Sequence, residues 1–227
     1  MSHRSRLPFS FIILMLLCAG APLATAQHPS KATLARLKRA VVIVTTYDDQ
    51  GSPLLQGSGF FITPERVVTS LHVIGQASRI RLETFAGRTI AVAGVVATDV
   101  DSDLALLQLY APHQATVPLK LELKAPVEGE SIAVLSNPRG SYWKTTRGRV
   151  GPMWILAGTG PRLQITASLL PGSSGGPVLN RQGRVIGIAA MHLRSTDHLN
   201  FAVPVENLKA LQASASVAAV RPSAPNR

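Results

Sequence analysis

Three short strings in this chain of 227 residues carry side chains from which hydrolytic chemistry can be assembled. Pro171-Gly172-Ser173-Ser174-Gly175-Gly176-Pro177 places a serine ahead of two glycines. Glycine tolerates positive φ and lets another backbone or a substrate approach closely, so this serine can sit on a sharp turn with its hydroxyl exposed. In that geometry the backbone N–H groups of Gly172 and Ser174 can converge on one point and stabilise a developing oxyanion. The string alone also fits an ordinary Gly/Ser hairpin turn. Val67-Val68-Thr69-Ser70-Leu71-His72-Val73-Ile74 ends a strand and opens a tight apolar turn around one histidine. A serine hydroxyl is a poor nucleophile until a neutral imidazole takes its proton. Of His28, His72, His113, His192 and His198, only His72 stands in an apolar frame just after a strand. A lone histidine of this kind is more commonly structural. In Asp99-Val100-Asp101-Ser102-Asp103-Leu104-Ala105-Leu106-Leu107, Asp103 abuts an apolar strand that partly buries its carboxylate. Such a carboxylate needs a partner, and an imidazole N–H is a suitable one, although a turn aspartate is the plainer reading of Asp103 alone. Asp99 and Asp101 serve the turn. Taken together, the three strings predict a catalytic triad of His72, Asp103 and Ser174.

The elements that must position these residues are short and β-rich. The expected strands of a first group are Val41–Tyr47, Ser58–Ile62, Val67–Ser70, Ile80–Thr84, Arg88–Val96 and Leu104–Leu109. A second group comprises Ser131–Leu135, Lys144–Val150, Leu163–Ala167, Pro177–Leu179, Val185–Met191 and Asn200–Val203. Gly, Pro, Asn and Asp punctuate the gaps. Strands in this number without βαβ spacing make an all-β fold, a sandwich or a pair of barrels. The polar stretch Tyr110–Pro118 is the seam between a unit at about 41–110 and one at about 119–204. A short basic helix is expected over Lys31–Ala40 and a closing helix over Val205–Gln212, followed by a loose Ala/Ser/Pro-rich tail over 213–227.

Composition narrows the function classes. A content of 46% hydrophobic and 15% charged residues describes a globular chain. Arg4 and Arg6, the apolar run Phe9–Leu17 and Ala24-Thr25-Ala26 form a Sec-type leader over 1–26. Cleavage before Gln27 leaves 201 residues and lowers the net charge from +11 to +9. The apolar run is too short for a transmembrane helix, which needs about 20 residues, and no later stretch replaces it. The expected location is therefore the periplasm or the medium. The one cysteine, Cys18, falls inside the leader, so the mature chain is expected to use neither disulfides nor cysteine–metal sites. Lys and Arg are scattered and aromatics are 5%, which gives nucleic-acid binding no footprint. No metal-ligand motif is present and the chemistry needs no cofactor.

The chain resembles the trypsin-like serine peptidases, and within them the bacterial Deg/HtrA-type branch. The strings that carry this are GSGFFITPERVVTSLHVI around His72, DSDLALLQL around Asp103, VLSNPRG at 134–140, GSSGGPVLNRQGRVIGI around Ser174, and Phe201-Ala202-Val203-Pro204. His, Asp, Ser is the chain order of the chymotrypsin type, distinct from subtilisin and the α/β-hydrolases. The resemblance runs from about Leu34 to Leu211. It implies two perpendicular six-stranded antiparallel β-barrels with a catalytic cleft between them. It also implies roles: His72 as general base then acid, Asp103 orienting it, Ser174 as the acylated nucleophile of an endopeptidase acting on proteins or peptides.

Departures from the branch shape further expectations. Its members usually carry PDZ domains after the protease, and none is expected in the residues that follow the closing helix. Their trimers use an aromatic-bearing N-terminal segment, whereas Gln27–Ala40 has no aromatic residue, so a monomer is expected. Ser173 stands where digestive trypsins hold the aspartate that receives a new N-terminus, so no such activation step is expected. The specificity pocket implied by the family comprises Ser168, Leu169, Ala189, Ala190 and Phe201, uncharged and modest in size, suiting a small or medium apolar residue before the scissile bond. Two other classes compete with an enzyme: a non-catalytic peptide-binding or adhesion protein on a protease scaffold, and a peripheral protein drawn to anionic envelope surfaces by its charge.

Overall fold

Most of the strand-forming runs are apolar at successive residues rather than at alternate ones, so both faces of those strands must be buried. The computed structural model, which describes residues 28–220 except 116, 123, 139–142, 157 and 191–198, shows how this is achieved. The leader at 1–26 and the end of the expected tail at 221–227 lie outside the described residues.

Six strands close an N-terminal barrel: β1 (Val41–Tyr47), β2 (Pro53–Thr63), β3 (Arg66–Ser70), β4 (Arg79–Thr84), β5 (Thr89–Asp99) and β6 (Leu104–Leu109), hydrogen-bonded in the order β1-β2-β3-β6-β5-β4. Six more close a second barrel in the order β10-β11-β12-β9-β8-β7. These are β7 (Ser131–Ser136), β8 (Lys144–Leu156), β9 (Gly160–Ile165), β10 (Pro177–Leu179), β11 (Val185–Ala190) and β12 (Asn200–Pro204). All the pairings are antiparallel. Helix α1 (Lys31–Leu37) with a 3-10 turn over Lys38–Ala40, a one-turn helix α2 (Leu71–Ile74) and α3 (Val205–Val220) complete the fold. It is the all-β, two-barrel architecture that the family resemblance implied.

Side chains of successive strand residues point to opposite faces. On β6, Ala105 and Leu107 fill the interior of the N-terminal barrel, while Leu104 and Leu106 face outward into a core shared with the second barrel. Val67 and Phe61 likewise point inward, and Val68 and Phe60 point to the shared core. On β7, Ile132 and Val134 fill the second barrel and Ala133 and Leu135 meet the shared core. Each fully buried aliphatic side chain contributes about 1.5–3 kcal/mol, so this shared core fixes one barrel against the other. Leu34 and Leu37 of α1 and Leu208, Leu211 and Ala215 of α3 cover it from outside.

Several elements differ from the sequence expectation, among them β2, which starts at Pro53 rather than Ser58, and β5, which ends at Asp99 rather than Val96. Strand β8 runs to Leu156 although Gly151-Pro152 reads as a break, because a register shift between Val150 and Met153 absorbs a proline that has no N–H to give. Strand β9 ends at Ile165, two residues before the predicted end, and releases the chain toward the Ser174 turn. The closing helix, expected to end at Gln212, continues to Val220 through a segment rich in alanine, the best helix former. That part of the expected tail is helical, with Ala215 buried against the shared core.

Candidate active site

Strand register brings His72 and Asp103 together. The β3–β6 ladder ends with Ser70 opposite Leu104, so the residues just beyond it on each chain, 71–72 and 103, are neighbours. Leu71 N donates to Asp103 O at 2.9 Å. The Asp103 carboxylate then grips His72 twice: Oδ1 accepts from the backbone N at 2.8 Å, and Oδ2 lies 2.6 Å from ring Nδ1. With Nδ1–H donating to the carboxylate, Nε2 is left as the acceptor, the tautomer a general base requires. The side chains remain 36% and 28% exposed, so the pair opens to solvent. Asp103 adopts φ 59, a left-handed conformation that aspartate tolerates better than most residues.

The Ser174 turn is built across the two barrels. Ser58 N donates to Ser174 O at 2.8 Å, and Ser58 Oγ donates to Gly172 O at 2.7 Å while accepting from Asn137 N at 3.0 Å. One buried serine of β2 therefore ties the turn to both β2 and the end of β7. Within the second barrel, Gly175 N donates to Ala189 O at 2.9 Å and Ala189 N to Gly176 O at 2.8 Å. Gly172 and Gly175 take φ values of 91° and 85°, as the string predicted for its glycines. A Cβ on Gly175 would lie 2.1 Å from Ser58 O and 2.9 Å from Ser70 N, and one on Gly57 would meet Val73 Cγ2 at 2.7 Å and Ser174 O at 3.2 Å. These close approaches set the Ser174 backbone beside the residues flanking His72. Among the described residues, the N–H groups of Gly172 and Ser174 and the Ser174 hydroxyl make no hydrogen bond.

Ser173 is buried, its hydroxyl accepting from Leu170 N at 3.1 Å and sharing a 3.2 Å hydrogen bond with Ser136 Oγ. The turn is thus braced by neutral groups at the position where trypsins use an ion pair. Of the expected pocket residues, Ser168 is exposed and Leu169 half-buried. Ala189, Ala190 and Phe201 are buried, with Ala189 in the interior of the second barrel and Trp154 edge-on to Phe201 at 6.1 Å. Residues 191–198, which include Met191 and His192, lie outside the described residues. A concavity of about 750 Å³ lined by Glu122, Lys124, Glu130, Asn180 and Arg184 includes none of these residues. No group of three or more His, Cys, Asp or Glu side chains among the described residues is placed to hold a metal ion. No described helix is long and apolar enough to cross a membrane.

Sequence reasoning missed Ser58 and Arg162. Ser58 was legible as a serine between two glycines, Gly57 and Gly59, ahead of the His72 strand. Arg162 was legible as a single cation inside an otherwise uncharged strand.

A family model described as the trypsin-like peptidase domain matches residues 57–188. The chain is 29% identical over 171 residues to the anti-sigma-I factor RsgI9 of Acetivibrio thermocellus, covering 75% of this chain and 24% of that protein. It is 33% identical over 175 residues to Protease Do-like 1, chloroplastic, of Arabidopsis thaliana, covering 72% and 40%. The curated relatives it matches are therefore longer proteins, of which it spans about a quarter to two fifths. The active form of the Rv3671c protease from Mycobacterium tuberculosis superposes with a TM-score of 0.71 at 22% identity, covering 99% of this chain and 97% of that one.

Proposed function

Because the chain belongs to the trypsin-like peptidase family, in its Deg/HtrA-type branch, we propose that it is an exported serine endopeptidase working through an acyl-enzyme. The observation that carries this is the Asp103 carboxylate holding both the ring and the backbone of His72. That pair stands beside a turn whose Gly172 and Ser174 N–H groups make no hydrogen bond among the described residues.

In the first half-reaction Nε2 of neutral His72 takes the Ser174 proton as Oγ attacks the scissile carbonyl. Gly172 and Ser174 N–H donate to the oxyanion of the tetrahedral intermediate. Asp103 holds the tautomer and stabilises the imidazolium, which then passes its proton to the leaving amine as the C–N bond breaks. Water, deprotonated by the same imidazole, attacks the ester carbonyl, and collapse returns the proton to Ser174 with release of the acid product. Ser168, Leu169, Ala189, Ala190 and Phe201 favour a small or medium apolar residue before the scissile bond, and the leader over 1–26 directs the protein to the periplasm or medium.

Labelling by a fluorophosphonate probe tests the reading on protein recovered from envelope or medium, with its N-terminus expected at Gln27. Wild type is expected to label, while Ser174→Ala and His72→Ala are not. Folded wild-type protein that resists the probe would refute the proposal.

A further inference from the structure

The catalytic aspartate sits on a loop that the second barrel grips with a buried cation. Between β5 and β6 the chain turns through Asp99, Asp101 and Asp103. The turn is tied internally by Asp103 N to Val100 O at 3.2 Å and by Ser102 N to Asp99 Oδ1 at 3.1 Å. From α3, Asn207 Nδ2 donates to Ser102 Oγ. From β9, Arg162 Nη2 donates to Asp101 O at 2.9 Å, and Nη1 returns to Pro161 O at 3.0 Å. Arg162 is only 5% exposed, and among the described residues no carboxylate lies within ion-pair distance of it. A guanidinium in this situation is costly to bury, because its lost solvation is replaced by two carbonyls and by no contacting carboxylate.

We infer that Arg162 is a positioning residue for Asp103, clamping its loop to the opposite barrel through the Asp101 carbonyl. This rests on the triad reading above. The clamp matters because Asp103 meets His72 at 2.6 and 2.8 Å through two oxygens, so any movement of the loop turns the imidazole. Burial pulls the guanidinium below its usual range, and the fields of Asp103 and then Asp99 oppose that pull. Its cross-strand neighbour on β8, Trp154, and Asn207 of α3 carry no charge, so Asp103 and Asp99 are the ionised groups that act on it. Arginine keeps its proton in proteins, so the cation persists across the working pH range.

The test is the second-order rate of fluorophosphonate labelling together with the proton resonance of His72 Nδ1, with folding checked by thermal melting. Arg162→Met keeps the volume and removes both charge and clamp; labelling is expected to slow about tenfold, the scale of a small misplacement of reacting groups. The downfield Nδ1 proton resonance of the His72–Asp103 hydrogen bond is expected to be displaced as well. Arg162→Lys restores the charge without the planar fork that reaches two carbonyls. Its labelling rate is expected to stay low and its Nδ1 proton resonance to remain displaced, because charge alone does not restore the clamp. A folded Met variant with the wild-type rate and the wild-type Nδ1 proton resonance would overturn the inference. Should the Met variant fail to fold, the Lys variant decides: a lowered labelling rate supports the clamp, and a wild-type rate refutes it. Absence of labelling in wild type itself would instead strike the peptidase reading.

Discussion

Gly175→Ala probes how the nucleophile turn is held, and its cost can be worked from geometry. The new methyl would lie 2.1 Å from Ser58 O and 2.7 Å from Thr69 Oγ1, inside the 3.0 Å below which Cβ contacts essentially never fall. Two of the three nearest atoms are backbone, so rotating a side chain cannot relieve the clash. The φ of 85° adds a left-handed penalty of about 1–2 kcal/mol for an L side chain. Separating the turn from β2 breaks the Ser58 N to Ser174 O hydrogen bond and disturbs Thr69 Oγ1 to Ser58 O, at about 1 kcal/mol each. The expected loss is about 3–4 kcal/mol, or roughly 10 °C in Tm for a domain of this size. Differential scanning calorimetry gives the shift. Fluorophosphonate labelling well below the new Tm is expected to be slowed as well, because the same displacement moves Ser174 away from His72. A variant melting within about 2 °C of wild type and labelling at the wild-type rate would show that the turn is not wedged against β2 as described.

Other substitutions separate the parts of the site. Ser58→Ala removes the donor to Gly172 O and the acceptor of Asn137 N at a buried position, so urea denaturation should show a loss of about 2–3 kcal/mol with unchanged m-value and slower labelling. Retention of full stability would mean that those two backbone groups are satisfied otherwise. Asp103→Asn presents an amide to His72 Nδ1 and favours the wrong tautomer, so labelling should fall by about 10³–10⁴ with the fold intact by circular dichroism. A loss below about tenfold would deny Asp103 its orienting role.

Much of this was legible in the sequence, and the reason is local. His72, Asp103 and Ser174 each sit in a string whose neighbours state its backbone setting: a strand end, a strand start and a glycine-flanked turn. The strand runs were visible because β-branched and aliphatic residues cluster between turn formers. Their boundaries were less so. The extension of β8 past Pro152 depends on a bulge against β9, and nothing in residues 151–156 announces a partner that forgives a missing N–H. The continuation of α3 to Val220 was hidden because alanine and serine suit a loose tail as well as a helix, and packing of Ala215 on the shared core decides between them.

The sequence by itself determined which chemistry was available and the order of its participants along the chain. It could not say that β3 and β6 pair with Ser70 opposite Leu104, the register that delivers Asp103 to His72. Nor could it say that Ser58 and Arg162 reach between the barrels to hold the Ser174 turn and the Asp103 loop. Ser58 lies 114 residues from Gly172 and Arg162 lies 61 from Asp101. Contacts at that separation leave no local pattern, because their geometry is set by how two closed barrels bury a common core.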